Sequence, residues 1–227
     1  MTRSAAILAA VGSFGARARA QLVYRRREWK QAGEFDQLTK TPVRMRQLFD
    51  VTAIDGAGFL VGVKNSLNGL EFGFGIAPKQ IQVVVALHQA ANALNFDDAM
   101  WEKYRLGESL KVEDPATRQP AIRNAFYPSK ALKAGSKAPQ DPDDPASPYQ
   151  DTSLEGLYKR GVRFLCCHTA TEMQARMLIR RLNLKSDPED VVKDLLAHTL
   201  PGVIVVPAMV AAIAVLQTEG HYSYLRA

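Results

Sequence analysis

Cysteine is scarce: the chain of 227 residues has two, Cys166 and Cys167, and they are adjacent. Neighbouring cysteines cannot staple distant parts of a fold, which excludes a disulfide scaffold. Long apolar runs are also missing. No stretch reaches the roughly 18 uninterrupted apolar residues of a membrane-crossing helix. The most apolar late stretch, Val203 to Leu216, is short and contains Pro207. A polytopic membrane protein is therefore excluded, and no stable membrane insertion is expected. Charge is only mildly one-sided. The net charge is +6, and without residues 1–20 it is 26 basic against 23 acidic residues. That balance gives no footprint for nucleic acid, so no nucleic-acid partner is expected. The chain lacks a P-loop, a G-x-S-x-G elbow, a C-x-x-C-H haem site and the spaced ligand pairs of structural zinc. No metal and no cofactor are expected.

What is present suits a folded domain. The chain is 47% apolar and 23% charged, enough to bury a core and too apolar for disorder throughout. Met1 to Arg3 is a short basic start, Ser4 to Phe14 an Ala-rich apolar run, and Ala18-Arg19-Ala20 an A-x-A-like cleavage site. Residues 1–20 therefore read as a signal peptide, with a periplasmic or secreted mature protein; a cytoplasmic chain with a frayed tail is the alternative. Residues 21–42 are polar and basic and read as an arm outside the core.

Residues 43–227 read as one α/β domain. Alternation predicts a strand over Arg44–Ile54, with Met45, Gln47, Phe49 and Val51 on one face and Leu48 on the other. Leu60, Val63, Leu67 and Leu70 predict a helix over Ala57–Phe74, whose Gly58, Gly62, Gly69 and Gly73 suggest close packing on a sheet. Ile81–Leu87 is a short β-branched run, as in a central parallel strand. Phe96, Met100 and Tyr104 share a helical face. Leu154–Lys159 predicts a short helix, and Val162–Cys166 another buried strand. Thr169 and Glu172 fit a capping box for a helix with Met173, Met177 and Leu178 inward. Asp187-Pro188 opens the next helix. Val203–Val206 predicts a strand, a helix follows Pro207, and His221–Leu225 predicts an edge strand. Seven of the chain's 12 prolines fall within 114–150. This Pro-rich insertion reads as a functional or disordered excursion, open to protease. The alternation implies a parallel sheet of about five strands between helical layers.

Ligands of open α/β sheets bind at the carboxyl ends of strands. The polar residues expected there are Thr52, Asp55, His88, Cys167, His168 and Thr169. Cys167 ends a strand just before a helix, whose N-terminal N–H groups and dipole favour thiolate. Alternation turns Cys166 to the opposite face, among apolar neighbours that disfavour the anion. His88 is a candidate partner for the thiol.

The ordered set of the Lys64-Asn-Ser-Leu-Asn68 helix, Val83-Val-Val-Ala-Leu-His88, Gly161-Val-Arg-Phe-Leu-Cys-Cys167-His-Thr and Leu200-Pro-Gly-Val-Ile-Val-Val-Pro207, followed by Leu216 to Tyr224, resembles the DsrE/DsrF-like family. The resemblance spans about 44–105 and 155–227. It implies a flavodoxin-like three-layer sandwich, a homo-oligomer, and sulfur carried as a persulfide on one cysteine. Cys167 matches that cysteine's place, and His88 a histidine common at the end of the second strand. The Pro-rich insertion and the secretory start depart from the compact cytoplasmic pattern. The function implied is a sulfur carrier or sulfurtransferase exchanging with donor and acceptor proteins or small sulfane-sulfur compounds. The alternative is a non-catalytic binding or assembly protein with Cys167 packed and 114–150 as a partner-binding arm; accessibility of the thiol separates the two.

The leader reading has a direct check. N-terminal sequencing of protein from its native host should start at or near Gln21, and recovery of intact Met1 would remove export.

Overall fold

The computed structural model describes residues 24–129, 131 and 140–227, so the leader reading of residues 1–20 lies outside the described residues. Five strands form one sheet: β1 (Met45–Val51), β2 (Ile81–Leu87), β3 (Arg163–Cys167), β4 (Ile204–Val206) and β5 (Ser223–Arg226). All neighbours are parallel and the order is 4-3-2-1-5. β2 lies at the centre, which explains its unbroken apolar run: Val83 to Leu87 are buried on both faces. β5 pairs only with β1 and is exposed along its length, an edge strand as the alternation of His221–Leu225 predicts.

The order dictates the layers. Three successive crossovers step from β1 to β4 in one direction, and right-handed connections place all three on one face. That face buries Phe49, Val51, Val83, Val85, Leu87, Phe164 and Cys166. It is covered by α2 (Phe59–Asn68), α3 (Asp98–Lys103), α4 (Leu106–Leu110), α5 (Leu154–Lys159), α6 (His168–Leu182) and α7 (Pro188–Ala197). The return from β4 to β5 runs the other way and carries α8 (Met209–Thr218) to the opposite face. There Met209, Ala212 and Leu216 pack on Leu48, Val84, Ala86 and Leu165. The result is a three-layer α/β sandwich.

One helix cannot cover a five-stranded face, and the N-terminal segment supplies the rest. The arm expected outside the core is in fact part of it. Within α1 (Ala32–Lys40), Phe35 and Leu38 are buried beside Leu48 and Ile204. The Tyr222 hydroxyl donates to the Leu38 carbonyl at 3.0 Å. Trp29 Nε1 donates to the Val205 carbonyl at 2.6 Å. The Gln31 amide donates to the Val203 carbonyl at 2.9 Å and accepts from the Val205 N–H at 2.7 Å, occupying the free edge of β4. The sequence hid this because two apolar side chains in a polar segment make a weak periodic signal.

Three further expectations are refined or corrected. Part of the Pro-rich insertion is packed, at residues 124–129 and 147–150, while 115–120 and most of 140–146 are exposed. Asn124 Nδ2 donates to the carbonyls of Leu94 and Phe96, and its N–H is held by Asp98. The N–H groups of Leu154 and Glu155 donate to the carbonyls of Phe126 and Tyr127. Lys64 and Asn68 of α2 hold Gln150 and Tyr149. Residues 130 and 132–139 lie outside the described residues. The α2 glycines do not serve close packing, since a Cβ at Gly58, Gly69 or Gly73 would meet nothing within 4 Å, and one at Gly62 would make ordinary contact with Phe49. One close backbone approach lies instead at Gly107, where a Cβ would clash with the Ala121 backbone. In α6, Met173 and Met177 face outward, 66% and 40% exposed, while Gln174, Ala175 and Leu178 face in.

The core role of α1 is measurable. Phe35→Ala should cost about 3 kcal/mol in chemical denaturation. A loss under about 0.5 kcal/mol, as for a surface site, would return this segment to an external arm.

Candidate functional site

The reversal of winding brings two helix N-termini to the carboxyl end of β3. Cys167 is the last residue of β3 and itself the N-cap of α6, with extended backbone (φ −90°, ψ 113°). The cap expected at Thr169 is thus two residues earlier, because the helix starts immediately after the strand. Cys167 Sγ accepts the Ala170 N–H at 3.4 Å. It also accepts the Met209 N–H, from the first residue of α8, at 3.3 Å. The Thr169 hydroxyl lies 3.1 Å from the same sulfur. Helix N-termini present unsatisfied N–H groups and partial positive charge. Two of them aimed at one sulfur make an acceptor site for negative charge.

The backbone beneath the sulfur is pinned by groups that the sequence reading did not single out. Asn92 Oδ1 accepts the Cys167 N–H at 2.8 Å. Asn92 Nδ2 donates to Thr171 Oγ1 and to Gln174 Oε1, each at 3.0 Å. The Thr171 hydroxyl then donates to the Cys167 carbonyl at 3.0 Å, closing the loop. All three side chains are buried, so each bond acts in a low-dielectric setting and polarises the next. Their sequence signal was weak: Asn92 falls in a short apolar turn, and Thr171 and Gln174 look like ordinary helix residues.

Cys166 faces the other layer, among Phe164, Leu157 and Val85. Burial pushes its thiol up to about 12, while the contact with Thr171 opposes the shift. It is held neutral. Cys167 is buried too, at 3% exposure. The thiol has donors around it and little open path to it.

His88 and Cys167 are brought to neighbouring strand ends, since Leu87 pairs with Cys166 in the register of β2 and β3. The hydrogen bond of the ring goes elsewhere. His88 Nε2 lies 2.7 Å from Asp50 Oδ1 on β1, and the Tyr224 hydroxyl of β5 donates to Asp50 Oδ2 at 2.6 Å. That second bond, the largest effect on Tyr224, raises its hydroxyl pKa. His88 is thus oriented by a carboxylate on β1, and no hydrogen bond joins its ring to the Cys167 sulfur. Asp50 escaped the sequence reading because it lies inside a strand rather than after one.

His168 turns away from the thiol to the β4 side, where the Tyr24 ring stacks on it at 4.7 Å between centroids. It lines a cavity that neither Cys167 nor His88 reaches. Among the described residues, no hydrogen bond joins Asp55 or Thr52 to Cys167 or His88; the Thr52 carbonyl accepts the Ala91 N–H at 3.2 Å. Among the described residues, no group of three or more His, Cys, Asp or Glu side chains could hold a metal ion, and no helix is long and apolar enough to cross a membrane.

The buried thiol gives a pH test. A group held neutral by burial contributes stability that is full below its ordinary value of 9.0 and is lost as pH rises toward about 12. Denaturation of the wild type should therefore steepen its decline above about pH 9 relative to Cys166→Ala. Parallel profiles would show that Cys166 ionises freely in the folded protein.

Comparison of the chain with protein-family models, with curated proteins and with solved structures finds no match.

Proposed function

We propose that this protein is a DsrE-like sulfur carrier in which Cys167 holds one sulfur atom as a persulfide, working as an exported homo-oligomer. The observation that carries the reading is the convergence of the Ala170 and Met209 N–H groups and the Thr169 hydroxyl on Cys167 Sγ. Thiolate and persulfide are the states that such donors favour over a neutral thiol. The packing of Cys166 leaves one working thiol in the pair.

The chemistry is two exchanges. The Cys167 thiolate attacks the outer sulfur of a donor persulfide; a new S–S bond forms, the donor's S–S bond breaks, and the donor leaves as thiolate. An acceptor thiolate then attacks the outer sulfur on Cys167, the Cys167 S–S bond breaks, and Cys167 returns to thiolate. No net oxidation occurs, and the electron pair follows the leaving sulfur in each step. His88, oriented by Asp50 at the neighbouring strand end, is the candidate proton partner of the entering or leaving sulfur. Because the thiol is closed in, an acceptor must part the α6 and α8 N-termini to reach it. The exposed Met173 on α6 and Val210 on α8 are apolar handles for such docking.

The burial of Cys167 favours a second reading, a non-catalytic binding or assembly protein whose Cys167 is only a helix cap. One experiment separates them. Reduced, folded wild type, Cys166→Ala and Cys167→Ser are treated with iodoacetamide, and in parallel with a small polysulfide, and weighed intact. The carrier should label and gain one sulfur in wild type and Cys166→Ala, and do neither in Cys167→Ser. Labelling of both thiols at equal, slow rates and only after denaturation would sink the carrier and leave the binding protein.

A further inference from the structure

The β4 edge carries a second site built from three distant segments. The stretch Tyr24 to Gln31, the first half of α6 and the length of α7 enclose a cavity of about 670 Å³. That is within the size range of small-molecule pockets, roughly 300–1,000 Å³. Trp29, Val192, Leu196 and Val205 make its apolar walls. His168 and Glu172, one helical turn apart on α6, line it while only 7% and 5% exposed.

These two side chains are short of partners. His168 Nδ1 and Glu172 Oε1 lie 3.3 Å apart, yet neither makes a hydrogen bond among the described residues. The other Glu172 oxygen has only a long contact with Arg176 Nη2, at 3.9 Å. Leaving a buried carboxylate oxygen without a donor is costly. Burial, the larger effect, lowers the His168 pKa against the pull of Glu172. The missing component is a hydrogen-bond donor at Glu172 Oε1, attached to a body that suits aromatic and aliphatic walls.

We propose that this cavity binds a small molecule with an aromatic ring and a hydrogen-bond donor attached to it, a phenol or a benzylic amine. The donor meets Glu172 Oε1, and the ring lies against Trp29, Val192 and Leu196. A flat ring suits a pocket walled by an indole, since aromatic pairs gain from stacked or edge-on contact beyond their buried area. The site uses no atom of Cys167, so it stands or falls apart from the sulfur-carrier reading.

Tryptophan fluorescence of the full chain reads the site. Trp29 lines the cavity, and Trp101, fully buried in the core, gives a constant background. The probes are phenol, benzylamine, toluene and benzoate. A saturable change is expected with phenol or benzylamine, and it should vanish in Trp29→Phe. Response to phenol alone identifies a neutral donor, and response to benzylamine alone a cationic one. Glu172→Leu should weaken the active probe at least about tenfold, the size of a lost charge-assisted hydrogen bond. If that variant fails to fold, the near-isosteric Glu172→Gln keeps the acceptor but not the charge, and should still weaken binding measurably. Equal binding of toluene or benzoate, unchanged affinity in the folded Glu172 variant, or no saturable response to either donor would overturn the proposal.

Discussion

A parallel sheet must be covered on both faces, and the rest of this structure follows from how the chain meets that demand. Three crossovers in one direction put the six helices α2 to α7 of the described residues on one face and leave the other bare. The long return to β5 carries α8 across it, and α1 fills what α8 leaves. The same return delivers the first N–H of α8 to Cys167. The candidate site is thus a by-product of the winding: without a reversal between β4 and β5, the sulfur would meet one helix N-terminus instead of two.

The thiol shows two physical tendencies in opposition. Removal from water penalises an anion on sulfur, and converging N–H groups reward it. At Cys166 the first dominates, because the Thr171 hydroxyl at 3.8 Å and the Asn92 side chain do not offset complete burial. Cys167, one residue on, projects to the opposite face and meets two amides and a hydroxyl. Pleat alternation alone separates these two environments.

Much of the fold was legible because its signals were local. The strand Ile81–Leu87 and the helix Leu154–Lys159 have the bounds read from residue types, and Asp187 caps its helix as its position before Pro188 implies. What escaped was settled by distant partners. α1 is held by β4 residues more than 170 positions away, through Gln31 and Trp29. Met173 and Met177 read as core because they are apolar, but α6 turns its small and polar residues inward, where Asn92 needs Gln174 and Thr171. Of the site, the place of Cys167 at a strand end was readable. The Asp50–His88 pairing and the Asn92 network were not, since each joins segments with no shared pattern.

The Gln31 amide at the β4 edge has a consequence for self-association. It and Trp29 occupy the outward Val203 carbonyl and both outward groups of Val205, so no strand from another molecule can add there. Among the described residues, no strand pairs with β5 on its outer side. A sheet with two open edges can add copies without limit and grow into a filament. A sheet with one can join a second copy only about a two-fold axis, and the pair is then complete. A side-chain amide from the first helix region thereby sets the arithmetic of assembly through this sheet: edge pairing closes at two.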